Sequence, residues 1–117
     1  MSKITIEELR QQVRDFAVAR DWEQFHSPKN LSMALIVEAA ELVEHFQWLN
    51  AEQSQSLPEA KLAEVELELA DIFIYLIRLA DKLNIDLLSA ANKKLKINAE
   101  KYPANTVRGS AKKYTDY

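Results

Sequence analysis

Residues 38–48 read EAAELVEHFQW, and residues 64–75 read EVELELADIFIY. Both stretches carry polar residues that recur every three or four positions, and at about 100° per residue each set falls on one face of an α-helix. Both faces border apolar residues that belong in a core, where an unpaired carboxylate is costly. The polar positions are Glu38, Glu41, His45 and Trp48 in the first stretch, and Glu64, Glu68, Asp71 and Tyr75 in the second.

The composition indicates a single all-α domain. The chain has 117 residues, of which 48% are apolar and 28% charged, enough for one core. One glycine and three prolines leave room for long regular elements, and the valines and isoleucines follow helical rather than alternating spacing. The predicted fold class is therefore all-α.

Charge and hydropathy exclude two classes of partner. A net charge of −3 argues against binding to nucleic acid, which needs a basic surface. No apolar run approaches the roughly 20 residues that cross a bilayer, and residues 1–5 lack the apolar run of a signal peptide, so no membrane association is expected. The chain has no cysteine, which favours a reducing, cytoplasmic setting.

Capping signals and periodicity predict four helices. Thr5 with Glu8 forms a capping box for the first, and Ser27 followed by proline opens the second. Ser56 with Glu59 is expected to form a second capping box, and Asp86 to cap the fourth helix. The predicted helices cover about 5–20, 28–49, 58–83 and 87–102, with a polar loop over 50–57.

The apolar pattern predicts a four-helix-bundle subunit that assembles as a dimer or tetramer. The third helix is apolar nearly all round from Leu67 to Leu83, which indicates a central position. Ile36 and Val43 point away from the core stripe of the second helix, and a second buried face suggests a homo-oligomer. Residues 1–103 are the predicted domain. The basic tail, 104–117, has no helical period and is equally compatible with a solvated end and with closure over a neighbouring subunit's site.

Two carboxylate pairs at i, i+3 on neighbouring helices can converge on one point. Such acids are more often solvated and paired with lysine one turn on. Glu38 and Glu68, however, have no lysine or arginine four residues later, and both adjoin the most apolar faces in the chain. Four oxygen donors form a set suited to Mg²⁺. The predicted metal ligands are Glu38, Glu41, Glu68 and Asp71.

A histidine ligand is not expected at this site. His45, one turn after Glu41, is predicted to lie near the metal without binding it. A carboxylate-bridged di-iron centre would need Glu-x-x-His, and the position three before His45 is Leu42. The other acids are predicted to be surface residues: Glu44, Glu52, Glu59, Glu66 and Glu100.

The acidic spacing resembles a known family. EAAE at 38–41 followed by ELAD at 68–71 is similar to the split ExxE…ExxD pattern of the all-α nucleoside triphosphate pyrophosphohydrolases, the MazG-like superfamily. Further blocks resemble the dCTP pyrophosphatase branch and extend the resemblance to nearly the whole chain. These blocks are RDWEQFH at 20–26, FQW at 46–48, DIFIYL at 71–76, KYP at 101–103, RGSA at 108–111 and KYTD at 113–116.

The resemblance implies Mg²⁺-dependent hydrolysis of a (deoxy)nucleoside triphosphate, dCTP or a modified dCTP, to the monophosphate and pyrophosphate. It implies that the four metal ligands are the catalytic acids. Positions that match the family's nucleotide pocket are Trp22, His26, Trp48, Tyr75 and Asn98. Tryptophan faces can stack on a base, and Asn98 or His26 can bond its edge. Lys29 and Lys94 are candidates for phosphate contacts.

Alternatives stay open at several of these positions. Trp48 could pack in a subunit interface, Tyr75 in the core, and Asn98 on a helix surface. Val13 stands where animal members of the family carry a pocket histidine, which leaves the base preference open. The alternative function is a non-catalytic nucleotide-binding bundle, and a helical protein-interaction module is a third.

Overall fold

The structure of the chain is a computed structural model that describes residues 3–111. All regular elements in this range are helical, which confirms the predicted all-α class. The elements are α1 (Ile6–Ala19), a 3-10 turn (Glu23–Phe25), α2 (Pro28–Glu44), α3 (Ala51–Ser54), α4 (Glu59–Lys82), α5 (Leu87–Lys101) and α6 (Ala104–Val107). Within the described range, no helix combines the length and hydrophobicity that a membrane span requires.

Three predicted N-caps begin helices, although the capping box predicted at Thr5 is incomplete: the Glu8 carboxylate accepts from the Thr5 hydroxyl at 3.1 Å and not from its backbone N–H. In each, a side-chain oxygen accepts a hydrogen bond from a backbone N–H of the first turn, which has no partner inside the helix. The bonds run from Glu8 N–H to Thr5 Oγ1, from Asn30 N–H to Ser27 Oγ and from Ser89 N–H to Asp86 Oδ1, at 3.1, 3.1 and 3.0 Å. At the end of α4, Asn84 has a φ of 55°, a conformation that asparagine tolerates better than most residues.

Three predictions for residues 44–58 are wrong. The second helix was expected to reach Leu49, but α2 ends at Glu44 and the chain then turns. Asn50 and Gln53 form a reciprocal capping box, with bonds of 2.8 and 3.0 Å, and this box begins α3 inside the predicted loop. The box expected at Ser56 does not form, because Pro58 is itself the N-cap of α4.

The predicted four-helix count also needs correction at the C-terminal end. Residues 104–117 were expected to lack helical structure, yet Ala104–Val107 form the short helix α6 directly after Pro103. Pro103 is the N-cap of α6, with an extended backbone (φ −58°, ψ 131°), and its missing N–H separates α6 from the end of α5. Residues 112–117 of the predicted tail lie outside the described residues.

The fold divides into two compact units, Met1–Asn84 and Ile85–Tyr117. In the first unit α4 is central, since it packs most extensively on α2 and also contacts α1. The buried apolar residues of this unit are Ala17, Leu31, Val65, Ile77 and Ala80. The second unit contains α5 and α6.

Much of the apolar surface of α2 and α4 faces water in the single chain. Ile36 on α2 is 67% exposed, and Leu67 on α4 is 69% exposed. Isolated exposed apolar residues are normal, but these belong to a larger set on the two helices. That set also includes Met33, Val37, Val43, Leu62, Leu69 and Phe73.

Candidate functional site

The predicted metal ligands come from the two helices that pack most closely. Carboxylate oxygens of Glu38, Glu41 and Glu68 lie within 4.8 Å of one another. Glu38 and Glu41 are one turn apart on α2, and the packing of α2 on α4 brings Glu68 to them. Asp71 follows Glu68 by one turn, is exposed, and contributes charge at Glu38.

Two oxygens in this cluster lack a partner. Oε2 of Glu38 and Oε2 of Glu68 are both buried, and neither has a hydrogen-bond partner among the described residues. Buried polar atoms are nearly always hydrogen-bonded, so two bare carboxylate oxygens in one cluster indicate a missing positive partner. Hard oxygen donors with no nitrogen or sulfur among them suit Mg²⁺, so the donor set fits that ion.

The pKa of Glu38 is raised by its burial and by the neighbouring carboxylates. Burial raises the pKa of Glu38 to about 7 from its ordinary value of 4.5, and the neighbouring carboxylates of Glu41, Asp71 and Glu68 add to the rise. A carboxyl group in this environment keeps its proton up to neutral pH. A cation that binds here must therefore displace a proton from Glu38.

His45 lies beside a separate pair of side chains. Its Nδ1 is 3.3 Å from Lys61 Nζ and 3.7 Å from Glu64 Oε2. Because an ammonium group only donates, Nδ1 accepts from Lys61 and the proton of the neutral ring lies on Nε2. His45 and Lys61 also line a cleft of about 560 Å³ together with Leu49, Glu52, Gln53, Ser56, Leu57 and Pro58.

The loop after α1 brings together two of the predicted pocket residues. The ring centroids of Trp22 and His26 lie 6.4 Å apart and those of Trp22 and Phe16 5.7 Å apart, both pairs edge to face. Trp22 is 44% exposed, so part of its ring is available to a ligand. Lys29 is exposed in the first turn of α2, a few residues beyond this loop.

The remaining predicted pocket residues are spread over three elements. Tyr75 is half-buried on α4, one turn after Asp71 and on the same face. Trp48 follows the end of α2 and is 87% exposed. Lys94, exposed, and Asn98, half-buried, lie one turn apart on α5 in the second unit. The structure thus brings together carboxylates of Glu38, Glu41 and Glu68 on the two helices and, separately, the rings of Trp22 and His26 in the loop. The binding and catalytic roles of all the predicted site residues stay predictions.

A charged network on α4 was missed by the sequence analysis, which gave Arg78 no role. Arg78 is only 2% exposed, and it donates from Nη1 to Asp81 Oδ2 at 3.2 Å and from Nη2 to Glu23. Asp81 also accepts from Arg14 Nε at 2.9 Å and from Arg10 at 3.3 Å. A charged residue flanked by Ile77, Leu79 and Ala80 in an otherwise apolar segment was the signal in the sequence.

The ionisation of the network follows from its pairing. Hydrogen bonding to Arg14 holds the pKa of Asp81 below its usual range despite burial. The hydrogen bond and charge of Arg78 likewise lower the pKa of Glu23. Both carboxylates therefore remain charged at neutral pH, in contrast to Glu38.

The chain is similar to known proteins over most of its length. Residues 33–117 match the model of the MazG-like family. The chain is 44% identical over 114 residues to dCTP pyrophosphatase 1 of Mus musculus, spanning 96% of this chain and 67% of that protein. It is 42% identical to dCTP pyrophosphatase 1 of Homo sapiens over the same shares. A crystal structure of a pyrophosphatase from Archaeoglobus fulgidus has a TM-score of 0.81 and 38% identity, covering 88% of this chain and 96% of that one.

The pKa of Glu38 predicts opposite pH effects on the metal-free and metal-bound protein. Because the folded-state pKa of about 7 exceeds the ordinary value of 4.5, protonation of Glu38 stabilises the metal-free fold. That contribution is complete below pH 4.5 and is lost as the pH rises through 7. In chelator, the Tm from circular dichroism should therefore fall between pH 6 and pH 8 more in the wild type than in Glu38→Gln.

Added Mg²⁺ should reverse this trend. One displaced proton with a pKa near 7 predicts an apparent Mg²⁺ affinity about tenfold higher at pH 8 than at pH 6, and a correspondingly larger rise in Tm. Equal pH profiles in the wild type and Glu38→Gln, with a pH-independent Mg²⁺ affinity, would contradict the assignment.

Proposed function

The chain belongs to the MazG-like family, and from that premise we propose that it hydrolyses dCTP or a modified dCTP to the monophosphate and pyrophosphate with Mg²⁺. Its similarity to known pyrophosphatases identifies it as a nucleoside triphosphate pyrophosphohydrolase. The observation that carries the finer proposal is the cluster of Glu38, Glu41 and Glu68, whose buried oxygens lack a partner. Such an activity would remove this nucleotide from the cytoplasmic pool.

The carboxylates have two tasks in the proposed reaction. Glu38, Glu41, Glu68 and Asp71 would hold the metal, which neutralises phosphate charge and polarises the bond to be broken. A carboxylate that is not bound to the ion can orient the attacking water and accept its proton. Cleavage separates the α-phosphate from the β-phosphate, so that pyrophosphate leaves.

The nucleotide would be held by the pocket residues that the sequence predicts. Trp22 has an exposed ring that can stack on the base, and His26 lies against it. Tyr75 stands on the same face of α4 as Glu68 and Asp71. We assign Trp48 and Asn98 to the base, and Lys29 and Lys94 to the phosphates, on the family resemblance.

A substrate panel tests the reaction. Incubation of the purified protein with each ribo- and deoxyribonucleoside triphosphate and 5-modified dCTP should release pyrophosphate, fastest from dCTP or its modified forms, and chelator should stop release. The absence of pyrophosphate from every nucleotide would overturn the proposal. Calorimetric binding of dCTP in Ca²⁺ without any product in Mg²⁺ would instead identify a non-catalytic nucleotide-binding bundle.

Two isosteric substitutions test the site. Glu38→Gln and Asp71→Asn each remove one negative charge without changing side-chain size, and each should lower kcat by at least about 100-fold, because charge stabilisation in the transition state is lost. Far-UV circular dichroism should be unchanged. Glu66→Gln, an exposed acid on α4 outside the cluster, is the matched control and should retain activity. Full activity in Glu38→Gln or Asp71→Asn would remove that residue from the site.

We also propose that the protein works as a homo-oligomer, a dimer or tetramer. The support is the exposed apolar set on α2 and α4, which includes Ile36 and Leu67. A stable interface buries about 800 Å² on each partner. The faces of α2, with 17 residues, and α4, with 24 residues, can supply that area. Sedimentation equilibrium at micromolar concentration should give a multiple of 13.4 kDa. A monomer mass would contradict the proposal.

A further inference from the structure

One buried guanidinium ties the loop after α1 to α4. The side chain of Arg78 is 3% exposed, and its three nitrogens contact three different partners. Nε donates to His26 Nδ1 at 3.1 Å, Nη1 donates to Asp81, and Nη2 donates to Glu23. Two of these partners lie on the loop, and Lys82 adds a second contact to Glu23 at 3.7 Å. The planar fork of arginine suits such divided bonding, which a lysine could not reproduce.

The position of Arg78 along α4 relates the loop to the acidic cluster. Arg78 follows Asp71 by seven residues, which is two helical turns, so the two side chains share a face. Seven residues span on the order of 10 Å along a helix axis. A helix of fixed geometry therefore separates the carboxylates from the point where Arg78 bonds to His26 and Glu23. Trp22 is held indirectly, through its ring contact with His26.

The same contact determines which nitrogen of His26 carries the proton. Because arginine Nε only donates, Nδ1 must accept, and the proton of the neutral ring lies on Nε2. Burial and the positive charges of Arg78 and Lys82 lower the pKa of His26, while Glu23 opposes them. Among the described residues none accepts a hydrogen bond from Nε2, whose N–H is the only donor of the neutral ring.

We propose that Arg78 is a positioning residue: it holds the Trp22–His26 loop at a fixed place along α4 and keeps His26 as a hydrogen-bond donor through Nε2. A ligand group that meets this ring is then an acceptor, such as a base carbonyl oxygen, and not an exocyclic amine. The inference rests on the proposed function, because the group that accepts is assigned to the nucleotide base.

The pairing of Arg78 with Asp81 gives a purely structural alternative. Asp81 is also held by Arg14 and Arg10, and these bonds support packing of α1 on α4 without touching the loop. If Arg78 served only to neutralise Asp81, replacement of Arg10 and of Arg78 would have similar consequences. The matched pair of variants is therefore Arg78→Lys and Arg10→Lys, each of which preserves the charge.

Steady-state kinetics separate the two roles. Arg78→Lys should raise KM for the nucleotide about tenfold or more while kcat changes less, because the acidic cluster is two turns away and keeps its geometry. Arg10→Lys should leave KM within about twofold. An equal effect of both variants on KM, or no effect of Arg78→Lys, would overturn the positioning role.

Nitrogen NMR of the histidine rings gives a readout that does not depend on turnover. At neutral pH the wild type should show His26 protonated on Nε2 and bare at Nδ1, and Arg10→Lys should show the same. Arg78→Lys should lose this single tautomer. A wild-type ring protonated on Nδ1 would overturn the inference even if the enzyme is active, whereas a wild type without activity but with the expected tautomer would contradict the proposed function alone.

A second variant covers the case in which Arg78→Lys does not fold. Glu23→Gln changes a half-exposed loop residue and leaves the bonds of Arg78 to Asp81 and His26 in place. Loss of the ion pair should loosen the loop and raise KM severalfold, with the His26 tautomer retained. An unchanged KM in Glu23→Gln would contradict the role of the Arg78–Glu23 pair in holding the loop.

Discussion

Like charges that meet at the edge of an apolar core are tolerated only when a proton or a cation stands between them. Glu38, Glu41 and Glu68 approach within 4.8 Å at the contact of α2 and α4, and Asp71 adds its charge. In the absence of a cation the cluster responds by protonation, since the pKa of Glu38 rises to about 7. The helices cannot move apart without exposing the apolar residues that join them, so the carboxylates are held in place by packing.

The charges of two centres, one at Asp81 on α4 and one where α2 meets α4, are balanced in different ways. At Asp81 the negative charge meets three arginines, and all of its partners come from the chain itself. At Glu38 and Glu68 buried oxygens remain without any partner from the described residues. A carboxylate that is neutralised by arginines of the chain helps to hold the helices together. A cluster of carboxylates without a cationic partner is instead a candidate site for a metal cation. α4 therefore carries Arg78, which contacts the loop after α1, and it also contributes Glu68 and Asp71 to the proposed metal site.

The sequence predicts most of this arrangement because its signals are local. Caps at Thr5, Ser27 and Asp86 depend on contacts within one turn, and the i, i+3 spacing of the acids depends only on helical geometry. The errors occur where local signals compete. The capping box of Asn50 and Gln53 nucleates α3 in a stretch that looks like a loop, and the chain between Glu44 and Asn50 turns although its apolar spacing continues a helix. The role of Arg78 depends on partners more than 50 residues away, which spacing cannot reveal.

The central claim is that a divalent cation joins the carboxylates of α2 and α4. Anomalous diffraction from a crystal soaked in Mn²⁺, which has the same preference for oxygen ligands, tests it most directly. The account predicts an anomalous peak in contact with oxygens of Glu38, Glu41, Glu68 and Asp71. A map with no peak at this place, and with the four carboxylates turned into solvent, would contradict it.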